Sequence, residues 1–451
     1  MLTSIASFFS LYLTTLLLQT SSGLFNTYLG LRLTAASVSA LWVGSLIAGY
    51  YIGLVFGARI GHRLIIRVGH IRAYAATAAI AAVTVLSMML IDNLWVWLGF
   101  RFIAGIALVT QFMVIESWLN EQTENYQRGR IFGFYMAFSG LGTVCGQLSL
   151  TLFPSLNYQP LVFVAMCSVL CLVPVALTRR LHPAVQTPAP IIIHYYVKRV
   201  PLSLTVLFMT GTITGSFYGL APVYAVKQSM TSDQVGIFLA AGVLSGLLAQ
   251  WPIGWLADRV NRAGLIRVNT MILAVLAIPL WGWWQFPFWA LVVFSCAIGV
   301  LQFTLYPMGV AFANDNVEPE RRVGLSAILF MVYGLGACIG PLIVGELMRT
   351  VSANMFYAFL SFAALVLVIV VRPTRVTGDH LSEDAPTQFV IMADNLQSSP
   401  VASALDPRVD VRNDVSHDPV VEPVEPLVDS PAPGTAPLSD QPATGASKAA
   451  A

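Results

Sequence analysis

Apolar residues run almost unbroken for about twenty positions at a time, the length of a bilayer-spanning helix, with short polar stretches between them. These runs fall at about 5–28, 38–58, 71–91, 94–117, 131–152 and 160–178, then at about 200–225, 235–256, 264–284, 287–313, 323–345 and 351–371. A 24-residue helix is about 36 Å long and crosses a hydrocarbon core of about 30 Å with modest tilt. Outer-membrane barrel strands would be about ten residues long and alternate between lipid and lumen, a period these continuous runs do not have. The pattern therefore predicts an all-α integral membrane protein with twelve transmembrane helices in two sets of six. The first run carries no charge, has no basic segment before it and lacks a small-residue cleavage signal, so it is expected to remain as a helix.

The two sets are related in sequence. Residues 120–142, from Asn120 to Gly142, return at 314–336, from Asn314 to Gly336, with a constant offset of 194. Glu121 matches Asp315, Glu124 matches Glu318 and Arg128 matches Arg322, while Gly140 and Gly142 match Gly334 and Gly336. The match continues to Gly146 and Gly340. Repetition at half the apolar length implies two homologous halves. The predicted organisation is a six-helix bundle at 1–178, a connector at 179–198, a second six-helix bundle at 199–375 and a tail at 376–451.

Composition supports the membrane assignment: 57% of residues are hydrophobic, 10% are charged and mean hydropathy is +0.74. A soluble domain would carry about 25% charged residues. The net charge of +2 hides two regions of opposite sign, 21 basic against 10 acidic residues over 1–375 and three against twelve beyond. Seventeen basic residues, including Arg59, Arg63, Arg67, Arg72, Arg128, Arg259, Arg262 and Arg322, share one side if the chain starts in the cytoplasm. Arg32, Lys227 and Arg349 fall on the other. Basic loops stay in the cytoplasm, so both termini are expected there, with the bundle in a plasma membrane. Trp95, Trp97, Trp281, Trp283 and Trp284 then lie at the outer interface, where indole rings prefer the headgroups. The Pro-rich acidic tail lacks the apolar content to pack and is expected to be solvated; Thr387–Gln397 is its one candidate for local structure or docking, as a regulatory element or one that binds a soluble partner.

One polar motif, GWLADRVNR at Gly254–Arg262, closes the eighth run. Gly254 permits close helix approach, and Arg259 and Arg262 are placed to pair with Asp258, with a neighbouring carboxylate or with a helix C-terminus, a candidate interhelical latch. This motif resembles the loop signature of the major facilitator superfamily, and twelve helices in two repeated halves resemble its fold over about 370 residues. The first-half equivalent, Gly57–Arg72, lacks the aspartate; with ESWLN at Glu116–Asn120 it resembles the YcaD-like branch of transporters. The resemblance implies a lipid-embedded, monomeric secondary transporter of a small-molecule cargo, with a proton gradient as a candidate driving force and no cofactor.

Several residues are candidates for this work. Glu116, at the end of the fourth run, is the expected partner of Arg59 or Arg63 in a latch that closes the cytoplasmic side; the alternatives are a proton acceptor and a solvated helix-end carboxylate. Arg101 is the only basic residue more than four positions inside a run and opens RFIAG, which resembles the fourth-helix arginine motif of proton-linked members. It is expected to reach a central cavity, with snorkelling to the interface as the alternative. Asp92, near the outside, is a coupling candidate or a helix cap. Gln19, Asn26, Gln111, Tyr218, Tyr224, Gln302 and Tyr306 are candidate cargo contacts on the first, fourth, seventh and tenth runs. Gly133, Gly140, Gly142 and Gly146 on the fifth run, and Gly334, Gly336, Gly340 and Gly345 with Pro341 on the eleventh, are expected to form close-packed gating faces.

Other classes fit less well. The five cysteines all lie inside apolar runs and read as packing residues, not a metal set. Neither a catalytic triad, a phosphate-binding loop nor a pair of catalytic carboxylates appears, so an enzyme is not expected. Nor does the chain show a basic nucleic-acid surface or a repeated pore ring. The different-class alternative is a receptor, scaffold or assembly factor that keeps a transporter fold without moving cargo.

Overall fold

The protein is described from a computed structural model at residues 2–121, 123, 128–153, 155–177, 193–318, 321–372, 389–390, 392 and 398–405. Glu124 of the repeat, most of the connector and most of the tail lie outside the described residues. All described residues belong to one compact unit, Met1–Asp414.

Every regular element among the described residues is helical. The first set comprises α1 (Leu2–Ala35), α2 (Ala40–Val68), α3 (His70–Leu90), α4 (Leu94–Glu121), α5 (Arg128–Leu148), α6 (Gln159–Leu170) and α7 (Leu172–Ala176). A short α8 (Ile193–Arg199) precedes the second set: α9 (Pro201–Lys227), α10 (Ser232–Ala257), α11 (Arg262–Leu276), α12 (Phe288–Asp315), α13 (Arg322–Thr350) and α14 (Met355–Val370). With α6 and α7 taken as one interrupted span, these make the twelve crossings expected, and nine of the described spans meet the length and hydropathy of a transmembrane helix.

Three predicted runs are not one α-helix: the fifth tightens after Leu148 into a 3₁₀ turn, Ser149–Leu152, and proline accounts for the other two. The sixth run breaks at Cys171; the Pro174 ring opposes the Leu170 carbonyl and removes one backbone donor. The ninth run leaves α-helical geometry after Leu276 and tightens into a 3₁₀ turn, Ile278–Trp281, containing Pro279. Gly282 follows at φ 99°, a left-handed conformation that suits glycine.

The two sets use the same packing scheme. Within each half, α1 lies against α5 and α2 against α4, as α9 lies against α13 and α10 against α12. Glycine sets these distances. A Cβ at Gly142 would come 2.6 Å from the Leu16 carbonyl oxygen, and one at Gly146 would meet that of Thr20; Gly336 and Gly340 stand in the same relation to Phe208 and Thr212. Gly105 and Gly299, also 194 residues apart, make the corresponding approaches between α4 and α2 and between α12 and α10. Close backbone packing replaces the hydrophobic drive that lipid cannot supply.

Across the halves, α2 packs on α13 and α5 on α10. The bundle has a basic end, which carries Arg59, Arg63 and Arg259, and an opposite end. Close approaches between halves at glycine fall at the opposite end, Gly30 to Pro222, Gly44 to the Pro341 carbonyl and Gly345 to that of Ala40, or near mid-depth, Gly140 to Leu247 and Gly334 to Val55. At the basic end α8 binds the α12–α13 turn: the Tyr196 hydroxyl donates to the Arg321 carbonyl at 2.9 Å, Arg199 Nε to that of Asn316 at 2.9 Å, and the Tyr195 hydroxyl to Glu318.

The tail departs from the expectation of a solvated segment. Val390, Met392, Ser398, Ser399 and Ala402 are buried, and a 3₁₀ turn, Pro400–Leu405, rests on α4, α5 and α13. The physical reason is local composition: Phe389–Ala393 and Gln397–Ala404 contain no charge, whereas the acids lie on either side of and between these stretches.

Candidate functional site

The buried polar residues of α4 include Arg101, Gln111 and Glu116, with relative exposures of 1%, 0% and 0%. Arg101 does not snorkel. Its Nη2 donates to Asn26 Oδ1 at 2.7 Å and its Nε approaches the Leu46 carbonyl at 3.4 Å, while the guanidinium lies 4.9 Å from the Phe25 ring centre and 4.4 Å from that of Tyr50. Two aromatic faces and an amide oxygen thus compensate a cation that lipid alone could not hold. The structure brings Arg101 and Asn26, separate candidates in the sequence, into one cluster of α1, α2 and α4.

Glu116 does not pair with Arg59 or Arg63, both of which are exposed. Its Oε1 instead accepts from the Tyr135 hydroxyl at 2.8 Å and the Ser399 backbone N–H at 3.0 Å; Oε2 accepts from the same N–H at 3.2 Å and from the Ser399 hydroxyl. Ser399 Oγ also accepts from Val401 N at 3.2 Å. The expected ion pair gives way to neutral donors because the tail reaches the carboxylate and the arginines point to solvent. Neither Tyr135 nor Ser399 stood out in the sequence; one is an ordinary aromatic of an apolar helix, the other lies in a tail remote along the chain.

Between α10, α11 and α12, Arg262 forms the centre of a charge cluster. Its Nη1 donates to Asp315 Oδ1 and Oδ2 at 2.5 and 2.6 Å, and its Nη2 to Asp258 Oδ1 at 2.8 Å. Asp315 is the neighbouring carboxylate that the motif reading left unnamed, and its match to Glu121 in the repeat marked it. Arg259 takes the helix C-terminus instead of Asp258: it lies over the Trp255 ring at 3.9 Å and donates to the Trp255 carbonyl, in the last turn of α10, at 3.0 Å. Gly254 does permit a close approach, but to the Phe389 ring of the tail and not to another membrane helix. At the α12–α13 turn, burial pushes the Glu318 carboxyl up, but the Tyr195 hydroxyl, Arg199 and Arg321 outweigh it and hold the group below the usual carboxylate range.

The remaining candidates divide by environment. Gln111 is fully buried with neither amide atom hydrogen-bonded, and Gln302 Nε2 is likewise buried without a partner. Tyr218 lies 6.0 Å from the Phe303 ring centre, beside Gln302. Gln19 donates to Ser139 at 2.8 Å and joins α1 to α5. Tyr224 packs on Tyr357 at 4.7 Å and Tyr306 on Tyr333 at 5.0 Å, each in an aromatic pair of the second half. Asp92 is exposed, and the cap of α4 is Asn93, whose Oδ1 accepts from Trp95 N at 2.9 Å. A Cβ at Gly133 would meet nothing within 4 Å, so this glycine is no packing contact; it faces open space, unlike the others on α5. Among the described residues no group of three or more His, Cys, Asp and Glu side chains could hold a metal ion.

Two matching half-bundles with buried polar residues on α4 and α12 already suggest a solute carrier, and comparison of the whole chain decides its family. The profile of the Major Facilitator Superfamily matches residues 5–341 and 230–421. The chain belongs to the major facilitator superfamily. An uncharacterized MFS-type transporter of Yersinia pestis is 30% identical over 356 residues, 78% of this chain and 92% of that protein. The uncharacterized MFS-type transporter YcaD of Salmonella heidelberg is 28% identical over 356 residues, again 78% and 92%. The protein is therefore a multi-pass membrane transporter of this superfamily, in its YcaD-like branch. The crystal structure of the nucleoside transporter NupG superposes with a TM-score of 0.70 at 14% identity, covering 82% of this chain and all of that one. The E. coli fucose:proton symporter FucP superposes at 0.53 and 13% identity, covering 83% and 99%. At these identities the superfamily fold is what is shared.

Proposed function

We propose that this major facilitator protein moves a small polar solute across the bacterial inner membrane by alternating access, the half-bundles at 1–178 and 199–375 rocking about a central compartment. The basic end faces the cytoplasm, as the arginine distribution requires. The observation that carries the reading is a pair of buried glutamines with polar atoms left without a partner, both amide atoms of Gln111 on α4 and Nε2 of Gln302 on α12. A buried amide without a partner costs about 1–3 kcal/mol, so a mobile polar ligand or water that completes these bonds is the natural occupant. The two residues belong to opposite halves, as a binding site at the repeat interface requires.

Proton coupling is the finer part of the proposal. Glu116 is the candidate proton carrier, since a buried carboxylate held only by neutral donors changes its interactions on protonation. Arg101, held by Asn26, is the candidate that senses charge in the same half. Purified protein in proteoliposomes, first screened by solute-dependent thermal stabilisation and then assayed for uptake with and without an imposed proton gradient, tests both parts. Counterflow that survives Gln111→Leu and Gln302→Leu unchanged would remove the amides from the cargo site. Uptake indifferent to the gradient would remove the coupling.

A further inference from the structure

We propose that the described parts of the tail, Phe389–Val390, Met392 and Ser398–Leu405, act as a built-in strap at the basic end that ties the two halves together there and must leave before the transporter can cycle. The tail touches the second half along one face of α10. Met392 N donates to Gln250 Oε1 at 3.1 Å, the Phe389 ring covers Gly254, and Phe389 N donates to Asp258 Oδ1 at 2.8 Å. Gln250, Gly254 and Asp258 are spaced by four residues, so they form a single stripe on that helix. Ten residues beyond Phe389, Ser399 reaches the first half and places its N–H and hydroxyl on Glu116 between α4 and α5.

Three observations make this a built fit. Tail residues at both attachment points are buried, among them Met392, Ser399 and Ala402, although their surroundings in sequence are acidic and Pro-rich. Gly254 is required for the Phe389 ring, since any Cβ there would collide with it. The close glycine contacts between halves lie at the opposite end and mid-depth, whereas the tail contacts join α10 to α4 at the basic end.

The consequence is regulatory. In an alternating-access cycle the basic end must both open to solute and close helix on helix, and a peptide lying between α10 and α4 prevents each. It also occupies the donors' side of Glu116, so solvent protons reach that carboxylate only once Ser399 has withdrawn. The inference rests on the proposed transport reading for its consequence, though not for its geometry.

The test reads occupancy and not transport. A Gln250→Cys reporter in a background with the five native cysteines replaced is placed in the full chain, in a chain ending at Arg375, and in a full chain with Phe389→Ser and Met392→Ser. Labelling by a membrane-impermeant maleimide is timed in nanodiscs. Removing the strap should speed labelling about tenfold or more, the factor by which a mostly occupied site hides its residues. The double point variant should do the same if the shortened chain fails to fold. A synthetic peptide of residues 386–405 should restore protection to the shortened chain, and a scrambled peptide should not. Equal labelling rates in all three proteins would overturn the strap, as would protection by the scrambled peptide. Because the assay needs no cargo, a failure here leaves the transport proposal standing, and absent counterflow with intact protection would sink transport alone.

Discussion

Removing the charge of Arg262 by Arg262→Gln isolates one interaction whose size the structure permits to be worked out. The Arg262 and Asp315 side chains are each 5% exposed, and Nη1 lies 2.5 Å from Asp315 Oδ1. Both groups are shielded from water, so breaking this pair should cost about 3–5 kcal/mol, the range for removing one partner of a buried ion pair. The second arm, to Asp258, is weaker: that side chain is 36% exposed and its distance is 2.8 Å. Solvent screening leaves such an arm at about 0.2–1 kcal/mol. Arg262→Gln should therefore destabilise by about 3–5 kcal/mol, Asp258→Asn by less than about 1 kcal/mol. In a double-mutant cycle followed by equilibrium unfolding in mixed micelles, adding Asp315→Asn to Arg262→Gln should recover much of the loss. If the two substitutions prove additive to within about 0.5 kcal/mol, Arg262 and Asp315 do not interact as described and the cluster is no latch.

Gly340→Ala should lower thermal stability by about 1–3 kcal/mol, because the new methyl must push α13 off the Thr212 backbone of α9. Gly133→Ala, where a Cβ meets nothing, should instead be neutral or stabilise by up to about 1 kcal/mol through the lower entropy of alanine in a helix; differential scanning of both variants separates contact from composition. Arg101→Lys keeps the charge but loses the planar group that spans Asn26, Phe25 and Tyr50, so solute uptake should fall by about tenfold or more, and a fully active lysine variant would reduce the role of Arg101 to net charge. Glu318 is held below the usual carboxylate range, so its contribution is complete above the ordinary glutamate pKa near 4.5 and is lost as pH falls through the lower folded value. Hydrogen exchange of the α8 amides, corrected for intrinsic rate, should rise below about pH 4.5 in the parent and show no such step in Glu318→Gln.

The sequence by itself determined the helical spans, the two-half repeat and the family, because each depends on local quantities: twenty-residue hydrophobic runs, a fixed offset of 194 residues, and the GWLADRVNR signature. Glycine positions were legible for the same reason, since Gly142 and Gly336, or Gly146 and Gly340, occupy the same place in both copies and do the same work. What the tertiary structure decided is who meets whom. Arg101 and Asn26 were visible singly, but only folding brings residues 75 positions apart to 2.7 Å. Asp315 became the counter-charge of Arg262 because α11 and α12 cross there, and Glu116 received Ser399, 283 residues away, in place of the arginines nearer to it in sequence. Hydrophobic periodicity specifies which residues leave water; the direction in which a buried polar side chain finds its partner depends on helix rotation and depth, and on a distant segment of chain whose apolar patch is too short to register as an element of its own.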